Sequence, residues 1–251
     1  MTDLEGHRVL LTGAAGCIGQ AMARSLSAAG ARLYLMDREA APLEQLAGTL
    51  EADWSVCDVT DAAGVADAHD RAAHAMGGID GAILNAGVAS AFASFGEIKV
   101  AEYERVMVVN VTGVLNGLND LMPRMRSAGG GSIVVVSSSG GIRGARGMAP
   151  YVASKHAVIG LMKCAALEGA ADGVRVTALA PGPVQSDMMT EIDSGRGGGD
   201  PSGPRSATQA AIPAGRYARP EEVAAMATFL LSDAAAFCTG TVYSVDGGIF
   251  A

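Results

Sequence analysis

The feature that most constrains the fold is the regular alternation of short apolar runs with longer helical patterns. The runs are bounded by glycine or turn residues and lack the polar–apolar alternation of a strand that has one face in water. They therefore predict strands covered on both faces, in one doubly wound parallel α/β sheet of about seven strands. The predicted strands are 8–12, 31–36, 54–58, 81–85, 132–137, 174–180 and 241–246, and the predicted helices are 18–30, 39–50, 61–76, 101–126, 151–170 and 220–231.

The chain has 251 residues, no linker that divides it and no internal repeat, so we expect a single domain over residues 1–251. Residues 191–215 differ from the rest because they are rich in Gly, Pro and Ser and poor in bulky side chains. A long segment without regular structure inside a compact domain is typical of a functional lid or of disorder.

The charge balance argues against two classes of partner. The chain carries 18 basic and 26 acidic side chains, a net charge of −8, and has no basic run. Neither nucleic acid nor an anionic membrane is therefore an expected partner. The four cysteines are scattered and show no metal-ligand spacing, which predicts free thiols and no bound metal. Because there is no signal-peptide pattern and no run of roughly 18 apolar residues, we expect a cytoplasmic protein.

A glycine-rich segment, TGAAGCIG (12–19), stands between the first predicted strand and the first predicted helix. Gly13, Gly16 and Gly19 would permit a tight turn and let a pyrophosphate approach the N–H groups at the helix N-terminus. Their three-residue spacing differs from GxGxxG, and a tight turn with no ligand is the alternative on this segment alone.

An acidic residue, Asp37, ends the second predicted strand, 18 residues after Gly19. A carboxylate there can accept hydrogen bonds from both hydroxyls of an adenosine ribose and would repel a 2′-phosphate, which favours NAD over NADP. Arg38 is an opposing signal, because a guanidinium pairs well with phosphate. Asp58, which ends the third predicted strand, is a candidate partner for the adenine amino group. Each aspartate has the alternative of a turn or capping residue.

The segment YVASK (151–155) places Tyr151 and Lys155 one turn apart on the same face of a predicted helix. A phenol has a pKa of about 10, and lowering it to near 7 requires roughly 4 kcal/mol. One positive charge about 4 Å away supplies about that much at an effective dielectric near 20. The spacing therefore indicates a tyrosine that the lysine makes usable as an acid or base, although most such pairs are surface contacts.

These segments occur together, in this order, in one family: the chain resembles the short-chain dehydrogenase/reductase family almost from end to end. The resemblance implies a Rossmann-like domain, assembled as a homotetramer or a homodimer. It also implies hydride transfer between a nicotinamide cofactor and a small-molecule alcohol or ketone. The segments that carry it are TGAAGCIG (12–19), Asp37, Asp58, NAG (85–87), NVTG (110–113), SSS (137–139), YVASK (151–155), PGPVQS (181–186), RPEEVA (219–224) and VDGG (245–248).

The resemblance also implies residue roles. Tyr151 and Lys155 fall on the family's catalytic tyrosine and lysine, Ser138 on its serine and Asn110 on its structural asparagine. Ser138 would orient the substrate oxygen, Lys155 would also hold the nicotinamide ribose, and Asn110 would hold a water that passes protons to solvent. The residues implied to bind the cofactor are Gly13, Gly16, Cys17, Ile18, Gly19, Asp37, Asp58, Val59, Asn85, Ala86, Gly87, Tyr151, Lys155, Pro181, Gly182, Val184 and Ser186.

Three positions depart from the family pattern. Leu84 stands where many members have asparagine, Cys17 where serine or glycine is common, and Ser186 where threonine is commoner. Ser186 keeps the hydroxyl, so we expect binding of the cofactor carboxamide to persist. Leu84 and Cys17 affect local packing.

The surroundings of Tyr151 predict the substrate site. Residues 187–215 follow the carboxamide-binding segment and are predicted to form a lid over the substrate. Met148, Met188 and Met189 predict an apolar, adaptable pocket that suits a hydrophobic or cyclic secondary alcohol.

The loop 140–150 lies between Ser138 and Tyr151 and is predicted to line the same pocket. Its Arg143 and Arg146 are candidates for binding a carboxylate or phosphate on the substrate. The alternative is that both are solvated loop arginines.

Two other functions remain open beside the leading prediction of an NAD-dependent oxidoreductase for a secondary alcohol or ketone. An NADP-dependent 3-ketoacyl reductase of fatty-acid type would share these segments, but Asp37 and the lack of a basic patch for an acidic carrier protein argue against it. A catalytically silent dinucleotide-binding regulator would have no use for Ser138, Tyr151 and Lys155 together.

Overall fold

The computed structural model describes residues 3–251, and its centre is one sheet of seven strands. The strands are β1 (Arg8–Thr12), β2 (Arg32–Asp37), β3 (Asp53–Val56), β4 (Gly81–Leu84), β5 (Gly131–Val136), β6 (Val174–Pro181) and β7 (Val242–Val245). All neighbours run parallel, in the order β3-β2-β1-β4-β5-β6-β7. The strand order reverses between β1 and β4, which confirms the predicted doubly wound α/β fold.

Helices cover both faces of this sheet. They are α1 (Cys17–Ala28), α2 (Ala40–Leu50), α3 (Ala62–Met76), α4 (Val100–Met107), α5 (Gly113–Ala128), α6 (Ala149–Gly169), α7 (Asp187–Arg196), α8 (Ser202–Ala211) and α9 (Pro220–Leu231). Helices α3, α5 and α6 pack on one face, and α1, α2 and α9 pack on the other. Within residues 3–251, no helix has both the length and the apolarity needed to cross a membrane.

Consecutive residues of each strand serve opposite faces, because the side-chain period of a strand is two. In β1, Leu10 packs in the core beneath α3, α5 and α6, whereas Val9 and Leu11 pack in the core beneath α1, α2 and α9. All three are at most 1% exposed. This two-sided burial explains why the strands are unbroken apolar runs in the sequence.

The carboxyl ends of the central strands meet at one edge of the sheet. Thr12 of β1 is in register with Leu84 of β4, Leu84 with Val135 of β5, and Val136 with Leu179 of β6. The loops that follow these strands therefore converge. They lie beside the point where the strand order reverses, which is where ligands bind in open parallel sheets.

Two predicted elements differ from the structure. The helix predicted over 101–126 is divided into α4 and α5 by a π-helical turn, Val108–Thr112, that contains Asn110. Residues 191–215, predicted to lack regular structure, instead form part of α7 and all of α8. Glycine and serine lower helix propensity in this segment, but the Ser186 side chain caps α7 and compensates in part.

Candidate active site

The loop between β1 and α1 is shaped by glycines that pack against backbone. Gly13 has φ +65°, and a Cβ there would lie 2.8 Å from the Cα of Ala86. A Cβ at Gly19 would lie 2.1 Å from the carbonyl oxygen of Gly13. A Cβ at Gly16 would lie 3.6 Å from the carbonyl oxygen of Gly13 and would have no other close neighbour among the described residues. Larger residues at Gly13 or Gly19 would displace backbone, whereas Gly16 borders open space.

The N-terminus of α1 offers unpaired donors to a cavity. Gly16 caps the helix without a side chain, and the first turn of α1 holds no acidic residue. The first N–H groups of a helix have no partner within it, and the helix dipole favours an anion at this end. The cavity measures about 410 Å³ and is lined by the glycine loop, Asp37, Asp58 and residues 85–88. This donor set fits the pyrophosphate and ribose of a dinucleotide.

Asp37 is held against the glycine loop at the end of β2. Its Oδ2 accepts a hydrogen bond from the N–H of Ala15 at 2.9 Å, and its Oδ1 accepts one from the N–H of Glu39 at 3.1 Å. Arg38 forms an exposed ion pair with Glu39 at 3.2 Å. The guanidinium that argued for NADP therefore already has an acidic partner, while Asp37 lines the cofactor cavity.

Asp58 lies beyond the strand that it was predicted to end. Strand β3 ends at Val56, and Asp58 follows in the turn before α3. Its Oδ1 accepts from the N–H of Thr60 at 2.9 Å, and hydrogen bonds from Thr60 hold the pKa of its carboxyl below the usual value. Asp58 and Val59 line the cofactor cavity, so the contact with adenine stays a prediction.

The NAG segment joins β4 to the glycine loop. The amide of Asn85 donates to the carbonyl oxygens of Thr12 at 3.2 Å and Gly13 at 3.0 Å. Leu84, one of the departures from the family pattern, is 3% exposed and packs beside Gly117, where a Cβ would lie 2.8 Å from its Cδ2. The apolar replacement is accommodated because the facing residue has no side chain.

Ser138, Tyr151 and Lys155 line a second cavity at the carboxyl edge of the sheet. Ser138 follows β5, Tyr151 lies in the first turn of α6, and Lys155 lies one turn later. The Nζ of Lys155 lies 5.7 Å from the centre of the Tyr151 ring and donates to the carbonyl oxygen of Val136 at 2.9 Å. The structure thus brings together the three side chains that the sequence singled out.

The two titratable groups of this cluster respond differently to burial. Burial raises the pKa of the Tyr151 phenol, and a hydrogen bond with Ser138 opposes that rise. Burial lowers the pKa of Lys155 to about 8. The prediction that Lys155 brings the pKa of Tyr151 near 7 is therefore wrong for the cofactor-free protein. Desolvation of the phenol outweighs the hydrogen bond with Ser138, which acts in the opposite direction.

Asn110 is fully buried in the π-helical turn. Its Oδ1 accepts from the N–H of Val88 at 2.8 Å, and its Nδ2 donates to the carbonyl oxygen of Val88 and the hydroxyl of Ser154, both at 3.0 Å. A Cβ at Gly87 would lie 3.2 Å from the Asn110 Oδ1 and 3.4 Å from the Lys155 Nζ. Asn110 therefore fixes the backbone beside Lys155. Both N–H groups of its amide are used, so the predicted water would have to donate a hydrogen bond to an oxygen of Asn110.

The end of β6 and the segment that follows it form a wall of the catalytic cavity. The residues that contribute are Pro181, Gly182, Pro183, Val184 and Ser186. A Cβ at Gly182 would lie 2.8 Å from the Cα of Asp246, so this position needs glycine for a close backbone approach. The hydroxyl of Ser186 accepts from the N–H of Met189 at 3.2 Å and caps α7. The same hydroxyl would therefore have to cap α7 and make the predicted hydrogen bond to the cofactor carboxamide.

Cys17 links the glycine loop to the same segment. Its Sγ donates to the carbonyl oxygen of Gln185 at 3.4 Å. Burial raises the pKa of its thiol, and the charges of Asp187 and Glu221 add to the rise. Cys17 is therefore a neutral thiol that connects two walls of the cofactor cavity.

The cofactor cavity and the catalytic cavity are continuous. The residues that line both are Ile18, Asn85, Gly87, Ser186 and Met188. Every residue that the resemblance implied to bind cofactor lies on the wall of one or the other. The chain thus has a cofactor cavity of about 410 Å³ beside a smaller catalytic cavity of about 170 Å³, and both linings are mostly apolar.

One helix, α7, forms a side of the catalytic cavity. Met148, Met188 and Met189 line it as predicted, and Ile192 and Arg196 of α7 line it as well. The sequence analysis missed these last two, because it predicted no helix there. Once α7 forms, spacings of three and four residues place 188, 189, 192 and 196 along one side.

Neither candidate arginine of the 140–150 loop lines the catalytic cavity; the loop contributes Gly140, Ala145 and Met148 instead. The guanidinium carbon of Arg143 lies 3.6 Å from the centre of the Phe250 ring. Arg146 is exposed. Arg143 and Arg146 therefore fit the alternative of loop arginines outside the pocket better than a role in substrate binding.

Comparison with known proteins identifies the family. A family model described as enoyl-(acyl carrier protein) reductase matches residues 13–249. The chain is 36% identical to levodione reductase of Leifsonia aquatica, over 96% of this chain and 92% of that protein. The chain belongs to the short-chain dehydrogenase/reductase family. Like other short-chain dehydrogenases/reductases, it is an oxidoreductase of alcohols or ketones that uses a nicotinamide dinucleotide.

Two further members of the short-chain dehydrogenase/reductase family are close in sequence or structure. Cis-4-hydroxycyclohexanecarboxylate dehydrogenase of Sinomonas cyclohexanicum is 39% identical, over 95% of this chain and 94% of that protein. The crystal structure of NAD+-bound xylitol dehydrogenase has a TM-score of 0.94 and 30% identity, and covers 98% of this chain and 99% of that one.

Proposed function

We propose that this protein is an NAD-dependent oxidoreductase that interconverts a secondary alcohol and its ketone. The observation that carries the proposal is the convergence of Ser138, Tyr151 and Lys155 on a cavity continuous with that of the glycine loop. A hydroxyl, a phenol and an ammonium beside an apolar pocket suit an oxygen that gains or loses a proton. A bound nicotinamide would accept the hydride from the alcohol or return it to the ketone.

Tyr151 is the acid and base of this proposal. Burial keeps its phenol protonated at neutral pH, so it is prepared to donate a proton to a ketone oxygen. To remove a proton from an alcohol, the Tyr151 phenol needs a lower pKa, and the positive charge of Lys155 favours that lowering. Ser138 shares a hydrogen bond with the phenol and would hold the substrate oxygen in line with it.

The proposal names NAD rather than NADP because of Asp37. Its carboxylate lines the cofactor cavity and is held there by the N–H of Ala15. It would accept hydrogen bonds from ribose hydroxyls and repel a 2′-phosphate. The similarity to NAD+-bound xylitol dehydrogenase supports the same choice.

A hydrophobic or cyclic secondary alcohol is the proposed substrate class. Met148, Met188, Met189 and Ile192 give the cavity an apolar and adaptable lining. One relative is named for a hydroxycyclohexanecarboxylate, which is a ring alcohol. A lid formed by residues 187–215 would close over such a substrate and exclude water.

The proposal is tested with purified protein, NAD or NADP, and a panel of secondary alcohols, read from the absorbance of the reduced nicotinamide. The wild type is expected to reduce NAD with at least one ring alcohol. Tyr151→Phe should lower turnover by roughly 10²- to 10⁴-fold while NAD still binds, because only the proton-transfer group is lost. Tyr103→Phe, a change at an exposed tyrosine on α4, is the matched control.

The same panel separates the alternatives. Near-normal activity of Tyr151→Phe would refute the acid/base role. A preference for a 3-ketoacyl thioester with NADPH would identify a ketoacyl reductase. NAD binding without turnover of any alcohol or ketone would indicate a silent dinucleotide-binding regulator.

A further inference from the structure

One positively charged side chain of the catalytic cavity has no role in the proposed chemistry. Arg196 lies in the last turn of α7 and lines the cavity that contains Ser138 and Tyr151. The residue is exposed overall, but its Nη2 lies 3.8 Å from the Sδ of Met148. Met148 is only 4% exposed. The guanidinium therefore reaches from the surface to the inner wall of the pocket.

The guanidinium of Arg196 has no acidic partner within residues 3–251. The ion pairs formed by the described residues involve other side chains. Its contact with Met148 is to a thioether, which is a weak acceptor. Guanidinium groups bind carboxylates through two parallel hydrogen bonds. Most of the five donors of Arg196 are therefore available to an oxyanion on a ligand.

The remaining lining of the cavity strengthens this preference. Met148, Met189 and Ile192 are apolar, so they place no charge beside Arg196 that would compete for an anion. Among the described residues that line the cavity, none is acidic. Within this lining a bound anion would meet the charge of Arg196 and no carboxylate, whereas Glu102 and Glu191 line the adjoining cavity.

We propose that the substrate carries a carboxylate and that Arg196 binds it. The substrate class is then a hydroxy acid, or the corresponding keto acid, whose carboxylate is remote from the reacting carbon. This inference rests on the proposed function, because it takes Ser138 and Tyr151 to mark the position of that carbon. Arg196 touches neither the reacting carbon nor its oxygen, so it acts as a residue that determines specificity.

The test compares cis-4-hydroxycyclohexanecarboxylate with its methyl ester, which removes the charge and keeps the ring and hydroxyl. With NAD, the wild type should prefer the acid. Arg196→Met should lower kcat/KM for the acid by roughly 10- to 100-fold, mainly because KM rises. The same variant should change kcat/KM for the ester by less than about threefold. Arg196→Lys should recover part of the loss, because it keeps the charge but not the paired donors. Arg146→Met, at an exposed loop arginine outside the cavity, should leave kcat/KM unchanged for both the acid and the ester.

A second arm measures binding without turnover, by titrating cyclohexanecarboxylate or its methyl ester into the NAD-loaded protein. The wild type should bind the acid more tightly than the ester, and Arg196→Met should lose that difference. The inference is overturned if the wild type binds both equally, or if Arg196→Met weakens both to the same extent. If no alcohol is oxidised but acid binding still depends on Arg196, the proposed function fails and the carboxylate site stands.

Discussion

Among single residues, Lys155 shows most clearly that a side chain of the site lowers the stability of the fold. It is 5% exposed, and burial lowers its pKa from the usual 10.5 to about 8. The unfolded chain holds the proton more strongly than the folded one, so this burial destabilises the fold below about pH 8. The penalty is relieved as pH rises from about 8 towards 10.5. A charge retained at such a cost, beside a half-buried phenol, is typical of a functional group.

Asp37→Ala is expected to weaken NAD binding and relax the discrimination against NADP. The change removes the carboxylate that would bind the ribose hydroxyls and repel a 2′-phosphate, and it leaves Arg38 nearby to pair with phosphate. A hydrogen bond to a charged group is worth about 1.5–3 kcal/mol. The ratio of kcat/KM with NAD to that with NADP should therefore fall at least roughly tenfold.

Asp37→Asn is the matched variant for this experiment. It removes the charge but keeps an oxygen that can accept the N–H of Ala15, so the glycine loop stays in place. We expect it to shift the cofactor ratio in the same direction as Asp37→Ala. A ratio that stays at the wild-type value in both variants would show that the ribose contact is wrongly assigned.

Among the elements, α7 decides the shape of the pocket. One side of α7 lines the catalytic cavity, while Asp193 is fully buried and accepts a hydrogen bond from the Tyr217 hydroxyl at 2.8 Å. The Oδ1 of Asp193 is buried without a described partner. Within residues 3–251, the Tyr217 hydroxyl is therefore the side-chain donor that offsets the cost of burying this carboxyl group. The bond also fastens α7 to the loop before α9.

Tyr217→Phe is expected to loosen α7. The variant removes the donor and leaves the Asp193 carboxyl buried without a partner, which costs about 1–3 kcal/mol of the free energy of unfolding. Urea denaturation measures that loss, and hydrogen exchange should show faster exchange of the α7 amides. Tyr103→Phe, on exposed α4, should change neither. Unchanged exchange in α7 would mean that other contacts hold the helix.

The same exchange measurement tests the lid. Residues 187–215 should become more protected when NAD and a ring alcohol are bound together, because closure orders the segment. Equal protection of these residues with and without ligands would count against a lid.

The sequence predicted the elements that local patterns define. The bounds of β1 and α9 agree with the prediction, because an apolar run and a proline-started amphipathic stretch mark them. The pairing of Tyr151 with Lys155 also follows from local spacing. The π-helical turn holds Asn110, whose side chain bonds to the distant Val88 and Ser154, and Arg196 reaches the pocket only when α7 forms. Features that depend on contacts between distant segments carry no local signal.

In the molecule as a whole, three large apolar side chains of the described residues are more than four-fifths exposed: Phe95, Leu167 and Phe237. Leu167, near the end of α6, is 84% exposed, and Phe237 is fully exposed. A Cβ at Gly240 would lie 3.6 Å from the Cβ of Ala166, so the turn that follows Phe237 packs beside the end of α6. Exposed apolar side chains grouped in this way mark interaction surfaces.

We predict that the protein forms a homotetramer and that the surface around Leu167 and Phe237 lies in one of its interfaces. The double variant Leu167→Glu/Phe237→Glu would bury unpaired charges between copies, so sedimentation should shift from four chains to two or one. Gln45→Glu, which adds a charge on exposed α2, should still sediment as four chains. A wild type that sediments as one chain would contradict the assembly. A double variant that stays tetrameric would show that the copies meet elsewhere, since two glutamates cannot be buried in an apolar interface without weakening it.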